Sequence, residues 1–233
     1  MRHAFRLAGI AAALGFAASA FAQQPAAPVA PPAWKQGMSN EQANSPLHPF
    51  APHLTGRPAA DLPVSKLRVP EGFKVEVWVD GVPEARSLAL GDKGTVFVSN
   101  RNLSNVYAVV DNGGKREVKT LAEKLFLPNG IEFHKGSLYV ATPKDITRYD
   151  DIENRLDAPP APVMVYDKLP GEVPHGWKFI KVGPDGKLYV PIGAPCNICE
   201  PGSGFAKITR MNLDGSGVED VALGVRNTVG FDF

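Results

Sequence analysis

The chain has 233 residues, 44% of them hydrophobic and 21% charged, the proportions of an ordinary globular protein. Its 25 Lys and Arg stand against 24 Asp and Glu, a near balance that argues against nucleic-acid binding by bulk charge. After the first 22 residues no apolar stretch approaches the length needed to span a bilayer.

The chain opens as an export signal. Arg2 and Arg6 give a positive start, residues 7–18 are an unbroken apolar and small run, and Ala20-Phe21-Ala22 offers the small-x-small pattern of a cleavage site before Gln23. Residues 1–22 therefore read as a signal peptide, with an uncleaved anchor as the alternative, and the mature protein is expected in the periplasm or secreted. Cleavage would remove Arg2 and Arg6 and leave 23 basic against 24 acidic side chains. Residues 23–66 are rich in Pro and Ala without helical or strand period, and read as an extended arm or linker. His48 and His53 lie in it without Cys or carboxylate companions, so they read as solvated loop histidines and no metal site is expected.

Residues 67–233 carry a repeat. Phe73-Lys74-Val75-Glu76-Val77-Trp78-Val79 alternates as a strand does. Three segments then share one pattern of apolar strand, tight turn ending in Gly, and second apolar strand: residues 87–98, 129–140 and 178–190. Asp92-Lys93-Gly94, Lys135-Gly136 and Pro184-Asp185-Gly186 supply the turn chemistry of hairpins. Each unit runs on toward a further strand, at residues 105–110, 145–149 and 206–211. The turn glycines are 42 and 50 residues apart, the spacing of four-stranded propeller blades. The fold class is all-β, a β-propeller. A sandwich is the rival, but its strands carry no repeated motif at this spacing. A fourth unit begins at residues 227–233. Three units and the opening strand of another are expected to be part of a longer propeller, because an open arc leaves faces and edges unpaired.

Candidate chemistry falls at the entries to the inner strands, where propeller loops gather around the central channel. His175 precedes the inner strand of the third unit and reads either as a general base or as a turn histidine bonded to backbone. Arg226 and Asn227 hold the same place before the fourth unit, either as contacts to an anionic or quinone oxygen or as ties between blade loops. Asn129 shares that register before the second unit, and Arg101 follows the first hairpin, facing channel or rim. Trp177 and Phe179 read as core. Asp150, Asp151, Glu153 and Asp157 lack the Gly and closing Glu of a calcium loop and read as a solvated edge. Cys196 and Cys199 lack the His of a haem motif and the second pair of a zinc ribbon, so in an exported protein a local disulfide is favoured.

These runs resemble a known family. His175-Gly176-Trp177, Gly183-Pro184-Asp185-Gly186-Lys187-Leu188-Tyr189-Val190, Cys196-Asn197-Ile198-Cys199-Glu200 and Gly224-Val225-Arg226-Asn227 look like the sorbosone branch of the sugar dehydrogenases that depend on pyrroloquinoline quinone (PQQ). The resemblance covers residues 67–233, about the front half of the family's domain. It implies a six-bladed propeller, PQQ and calcium as cofactors, a sugar-like small-molecule substrate, and an external electron acceptor such as a cytochrome or quinone. It implies that His175 takes the substrate proton and that Arg226 and Asn227 contact the quinone. It places the calcium ligands beyond residue 233. Pro174 stands where the glucose-oxidising branch has an acidic residue, so no substrate identity follows. A propeller lactonase with a central divalent metal and a non-catalytic binding module are the competing readings.

Overall fold

Alternating apolar strands closed by glycine turns should fold as hairpins, and they do. The computed structural model describes residues 56–172, 174–196 and 201–233. The leader, most of the arm with His48 and His53, and Cys199 lie outside the described residues. Twelve strands follow one another: β1 (Ala85–Leu90), β2 (Val96–Asn100), β3 (Val106–Asn112), β4 (Lys115–Ala122), β5 (Gly130–His134), β6 (Ser137–Ala141), β7 (Ile146–Tyr149), β8 (Val163–Tyr166), β9 (Lys181–Val182), β10 (Leu188–Ile192), β11 (Lys207–Met211) and β12 (Glu219–Leu223). They form three four-stranded antiparallel sheets, β1 to β4, β5 to β8 and β9 to β12, each with neighbouring strands consecutive in sequence. Each sheet is one blade of a β-propeller.

The turns explain the register. Lys135 and Gly136 both have positive φ, 48° and 82°, the geometry that matches a two-residue turn to strand twist. Between β1 and β2 the Gly94 N–H donates to the Gly91 carbonyl and the Gly91 N–H to Thr95.

Burial lies between sheets rather than within one. Because side chains alternate across a strand, Phe97 of β2, with Ala89 and Ala108 opposite it in the ladder, faces the second blade. There it packs among Ile131, Leu138, Val140, Tyr149 and Ile152, stacked on Phe133 at 5.6 Å. A second core, between blades two and three, joins Tyr139, Ile146 and Val165 to Ile180, Leu188, Val190 and Met211. Polar ties run between the first two blades at the outer edge. Glu153 accepts from the Lys93 N–H at 3.0 Å, and Asp157 pairs with Lys119. Glu153 and Asp157 of the acidic cluster therefore serve blade contacts, while Asp150 pairs with Arg148 of its own blade.

Two expected strands are not strands. Residues 73–79 belong to no strand and have no ladder partner among the described residues, and an alternating segment is a strand only when a neighbour takes its backbone bonds. Trp78 and Val79 instead pack on the outer face of blade one, against Val98, Tyr107 and Val109. Residues 227–233 likewise make no ladder; Phe231 and Phe233 set their rings on Tyr189, on the far face of blade three. The inner strand of blade three is also shorter than its alternation predicts. Ahead of β9 the Lys178 carbonyl accepts from Asn129 Nδ2 of blade two at 2.8 Å, and within β9 the Val182 N–H donates to Glu132 of blade two at 3.1 Å.

The interblade core predicts a sharp contrast between two apolar positions. Phe97→Ala should cost about 3–5 kcal/mol in urea unfolding. Leu88→Ala, on the outer face of blade one and 65% exposed, should stay within about 0.5 kcal/mol of the parent.

Candidate functional site

The short segment from Glu172 to Lys178, which leads into blade three, is where the inner ends of the blades meet. His175 sits there with φ 53°, in the left-handed region that a non-glycine residue rarely adopts. Such conformations persist only where the surroundings enforce them, and here they do. His175 Nδ1 lies 2.8 Å from the Ala194 carbonyl. The loop after β10 presses so closely that a Cβ on Gly193 would stand 2.3 Å from the His175 carbonyl oxygen. Ala194 also reaches the other candidate, its N–H donating to the Arg226 carbonyl at 2.8 Å. The Arg226 guanidinium donates to the Cys196 carbonyl at 3.3 Å. One residue of the β10–β11 loop thus joins His175 to Arg226. Cys196 is disulfide-bonded, and the one other cysteine of the sequence, Cys199, lies outside the described residues. Asn227 is exposed beside Arg226.

A carbonyl oxygen only accepts, so the Ala194 bond fixes the proton of a neutral His175 on Nδ1. The lone pair is left on Nε2. That is the tautomer a general base requires, held by its partner rather than chosen by chance.

Asn129 and Arg101 join the same segment from the other side. Asn129 is buried. It accepts from Arg86 Nε and donates to the Lys178 carbonyl. Its glycine neighbour permits this, since a Cβ on Gly130 would fall 2.4 Å from that carbonyl. The Arg101 guanidinium lies over the Trp177 ring at 4.1 Å. Burial first, and then the Arg86 charge, lower its pKa, against the pull of Glu84. Trp177 is therefore a platform, with its indole N–H buried and lacking an acceptor. Phe179 meets Phe231 edge-on at 5.0 Å.

Two participants were not singled out in the sequence. Arg86 lies inside an alternating strand and looks like any exposed strand charge. Lys178 is 2% exposed, with its ammonium donating to the Gly176 carbonyl. Its signal was parity, because it falls two residues before the core Ile180. Burial pushes its pKa down to about 8, with Glu172 pulling the other way. Among the described residues, no three His, Cys, Asp or Glu side chains gather as a metal site.

No protein-family model matches the chain. An uncharacterized protein of Borreliella burgdorferi is 30% identical over 186 residues, covering 75% of this chain and 48% of that protein; the chain thus spans about half the length of this relative. Among solved structures, the PQQ domain of a pyranose dehydrogenase from Coprinopsis cinerea, in its holo form, aligns with a TM-score of 0.53 and 16% identity, over 63% of this chain and 38% of that one. PQQ-bound aldose sugar dehydrogenase from Streptomyces coelicolor aligns at 24% identity and TM-score 0.45, over 58% and 46%. A virginiamycin B lyase from Staphylococcus aureus aligns at 18% identity and TM-score 0.40, over 58% and 40%. The likeness to the pyranose dehydrogenase domain shows the propeller fold.

Lys178 makes stability depend on pH with a definite sign. Its folded pKa lies below the unfolded value, so between about pH 8 and 10.5 the unfolded chain binds more protons and stability rises with pH. Lys178→Met should flatten that rise, read as urea midpoints from pH 7 to 10. An unchanged slope would show that the ammonium is not held out of water.

Proposed function

We propose that the whole protein is an exported oxidoreductase that oxidises a sugar-like alcohol or aldehyde with PQQ as its electron acceptor, and that His175 is the base. The observation that carries this reading is the Ala194 bridge. It holds His175 Nδ1–H and the Arg226 backbone from one residue, so that a proton acceptor and a guanidinium share one rim. The resemblance of the His-Gly-Trp and Arg-Asn runs to PQQ sugar dehydrogenases supports it, as does the PQQ domain of the pyranose dehydrogenase on the same fold.

The donor set fits such a group. PQQ bears carboxylates and carbonyl oxygens, all acceptors, and the rim offers the Arg226, Arg86 and Arg101 guanidiniums together with a buried indole N–H lacking an acceptor. Arg226 and Asn227 would hold its quinone edge. When bound, PQQ supplies the two-electron sink that takes hydride from the substrate carbon. The chain's own part is to remove the hydroxyl proton at His175 Nε2 and to keep the guanidinium charge where negative charge grows. Two electrons then pass to an external acceptor, a cytochrome or a quinone. The leader supports a periplasmic or secreted site of action; among the described residues no helix is long and apolar enough to cross a membrane. Calcium rests on the family resemblance.

His175→Ala in the full reading frame should lower dye reduction with aldoses by about a thousandfold or more, while PQQ still binds by absorbance titration. Unchanged turnover would remove His175 from the mechanism. Absence of PQQ binding in the parent protein would favour a lactonase or a binding module.

A further inference from the structure

Blade one contributes two arginines to this rim. Arg86, at the start of β1, is bonded through Asn129 to the Lys178 carbonyl. Arg101, just after β2, is stacked on Trp177, the residue before Lys178. Two guanidiniums are thus brought to adjoining residues of one loop, close enough that each charge opposes the other. Glu84 offsets them in part, but its carboxylate is engaged by the Asn102 backbone N–H at 3.2 Å and by the Asn102 side chain at 3.3 Å. Beneath Arg101 the Trp177 N–H is buried without an acceptor. Behind it Lys178 adds a buried positive charge, facing Glu172.

Like charges held together over a starved donor favour an anion. The planar fork of a guanidinium matches a carboxylate in particular, because two parallel N–H bonds meet two oxygens. The stacked ring holds the fork of Arg101 in one plane, and the Asn129 amide holds Arg86 by its Nε, which keeps both preorganised.

We propose that Arg86, Arg101 and the Trp177 indole N–H form a carboxylate-binding subsite on the rim beside His175. The carboxylate belongs either to the substrate, making it an acidic sugar such as a uronic or aldonic acid, or to PQQ. This deepens the function proposed above by naming the ligand chemistry, but binding of a carboxylate here requires neither turnover nor His175.

The test is direct binding to the full chain, by calorimetry and by the fluorescence of Trp177 with Trp177→Phe as control. Sodium glucuronate, glucose and PQQ are titrated separately, at low and high salt. Glucuronate, PQQ or both should bind, and glucose should bind at least tenfold more weakly. Arg86→Gln and Arg101→Gln should each weaken the anion by about tenfold or more, the loss expected of one charge-assisted contact. Arg101→Lys, which keeps the charge but not the fork, should recover only part of it. His175→Ala should leave this binding unchanged. Arginine-dependent binding of glucuronate assigns the carboxylate to the substrate; such binding by PQQ alone assigns it to the cofactor. Equal affinity for glucose and glucuronate without arginine-dependent PQQ binding would overturn the subsite, as would parental affinities in both glutamine variants, with unfolding midpoints confirming that they fold. PQQ-dependent turnover of neutral aldoses, with parental affinities for glucuronate and PQQ in both arginine variants, would sink the subsite and leave the dehydrogenase reading standing. Arginine-dependent glucuronate binding without PQQ binding would do the reverse.

Discussion

The sheets of blades one and two carry apolar side chains on both faces, and a sheet of that kind is stable only when something packs on each side. Everything else in the structure follows from that demand. Phe97 has no place to go but toward Phe133 of the next blade, and Leu188 and Val190 none but toward Tyr139 and Ile146. Stacking sheets in this way brings their inner ends together. The outer face of blade one takes its partial cover from Trp78, Val79 and Val82, yet Leu88 and Leu90 remain largely exposed there. The far face of blade three takes its cover from the rings of Phe231 and Phe233 on Tyr189. The two outermost faces are thus covered by irregular segments where the two inner ones are covered by sheets.

The site uses the rigidity of the interblade packing to hold features that a loop alone would not keep. A left-handed histidine, a buried lysine and a desolvated arginine are each unfavourable by themselves. All three lie on or against the segment from Glu172 to Lys178, which is clamped between two glycine approaches. Gly193 lets the β10–β11 loop close on His175, and Gly130 lets blade two close on the Lys178 carbonyl. A side chain at either glycine would force the segment away from one of its partners. The clamp also accounts for the start of β9, since ahead of it the Lys178 carbonyl bonds to Asn129 rather than to β10.

The sequence made legible what depends on local chemistry. Gly94, Gly136 and Gly186 all take positive φ in the structure, and they are the residues whose spacing reveals the blades. Alternation located β2, β3, β6, β7, β10 and β11, because their parity decides which side is buried. It failed where pairing, not pattern, decides. Phe73-Lys74-Val75 alternates as well as any strand, but no described strand accepts its backbone. The candidate histidine and arginine stood out because they stand at blade entries. Their connection did not, since it runs through the main chain of Ala194, and a backbone bond leaves no mark on residue type. Arg86 was invisible for a related reason, and Lys178 showed only through its parity with Ile180: a charge in an alternating strand reads as solvated until a neighbouring blade is set against it.

The fold cannot choose the reaction, since one propeller scaffold serves unrelated chemistries; the choice rests on how the rim divides its work. One side of the segment from Glu172 to Lys178 belongs to blade three and the chain beyond it, with His175, Ala194 and Arg226. The other side belongs to blades one and two, with Arg86, Arg101 and Asn129. The first side has an oriented lone pair and suits proton removal. The second has paired guanidiniums on an aromatic face and suits holding a charged group still. A change in the backbone path of the segment disturbs both sides at once, so the loss it causes cannot be assigned to either. Arg86 reaches the segment through the Asn129 amide, and Arg101 through the face of one ring. Substitution at these two positions therefore alters the proposed carboxylate side while leaving the histidine and its carbonyl in place, which makes blade one the point from which the proposed binding and chemistry can be separated.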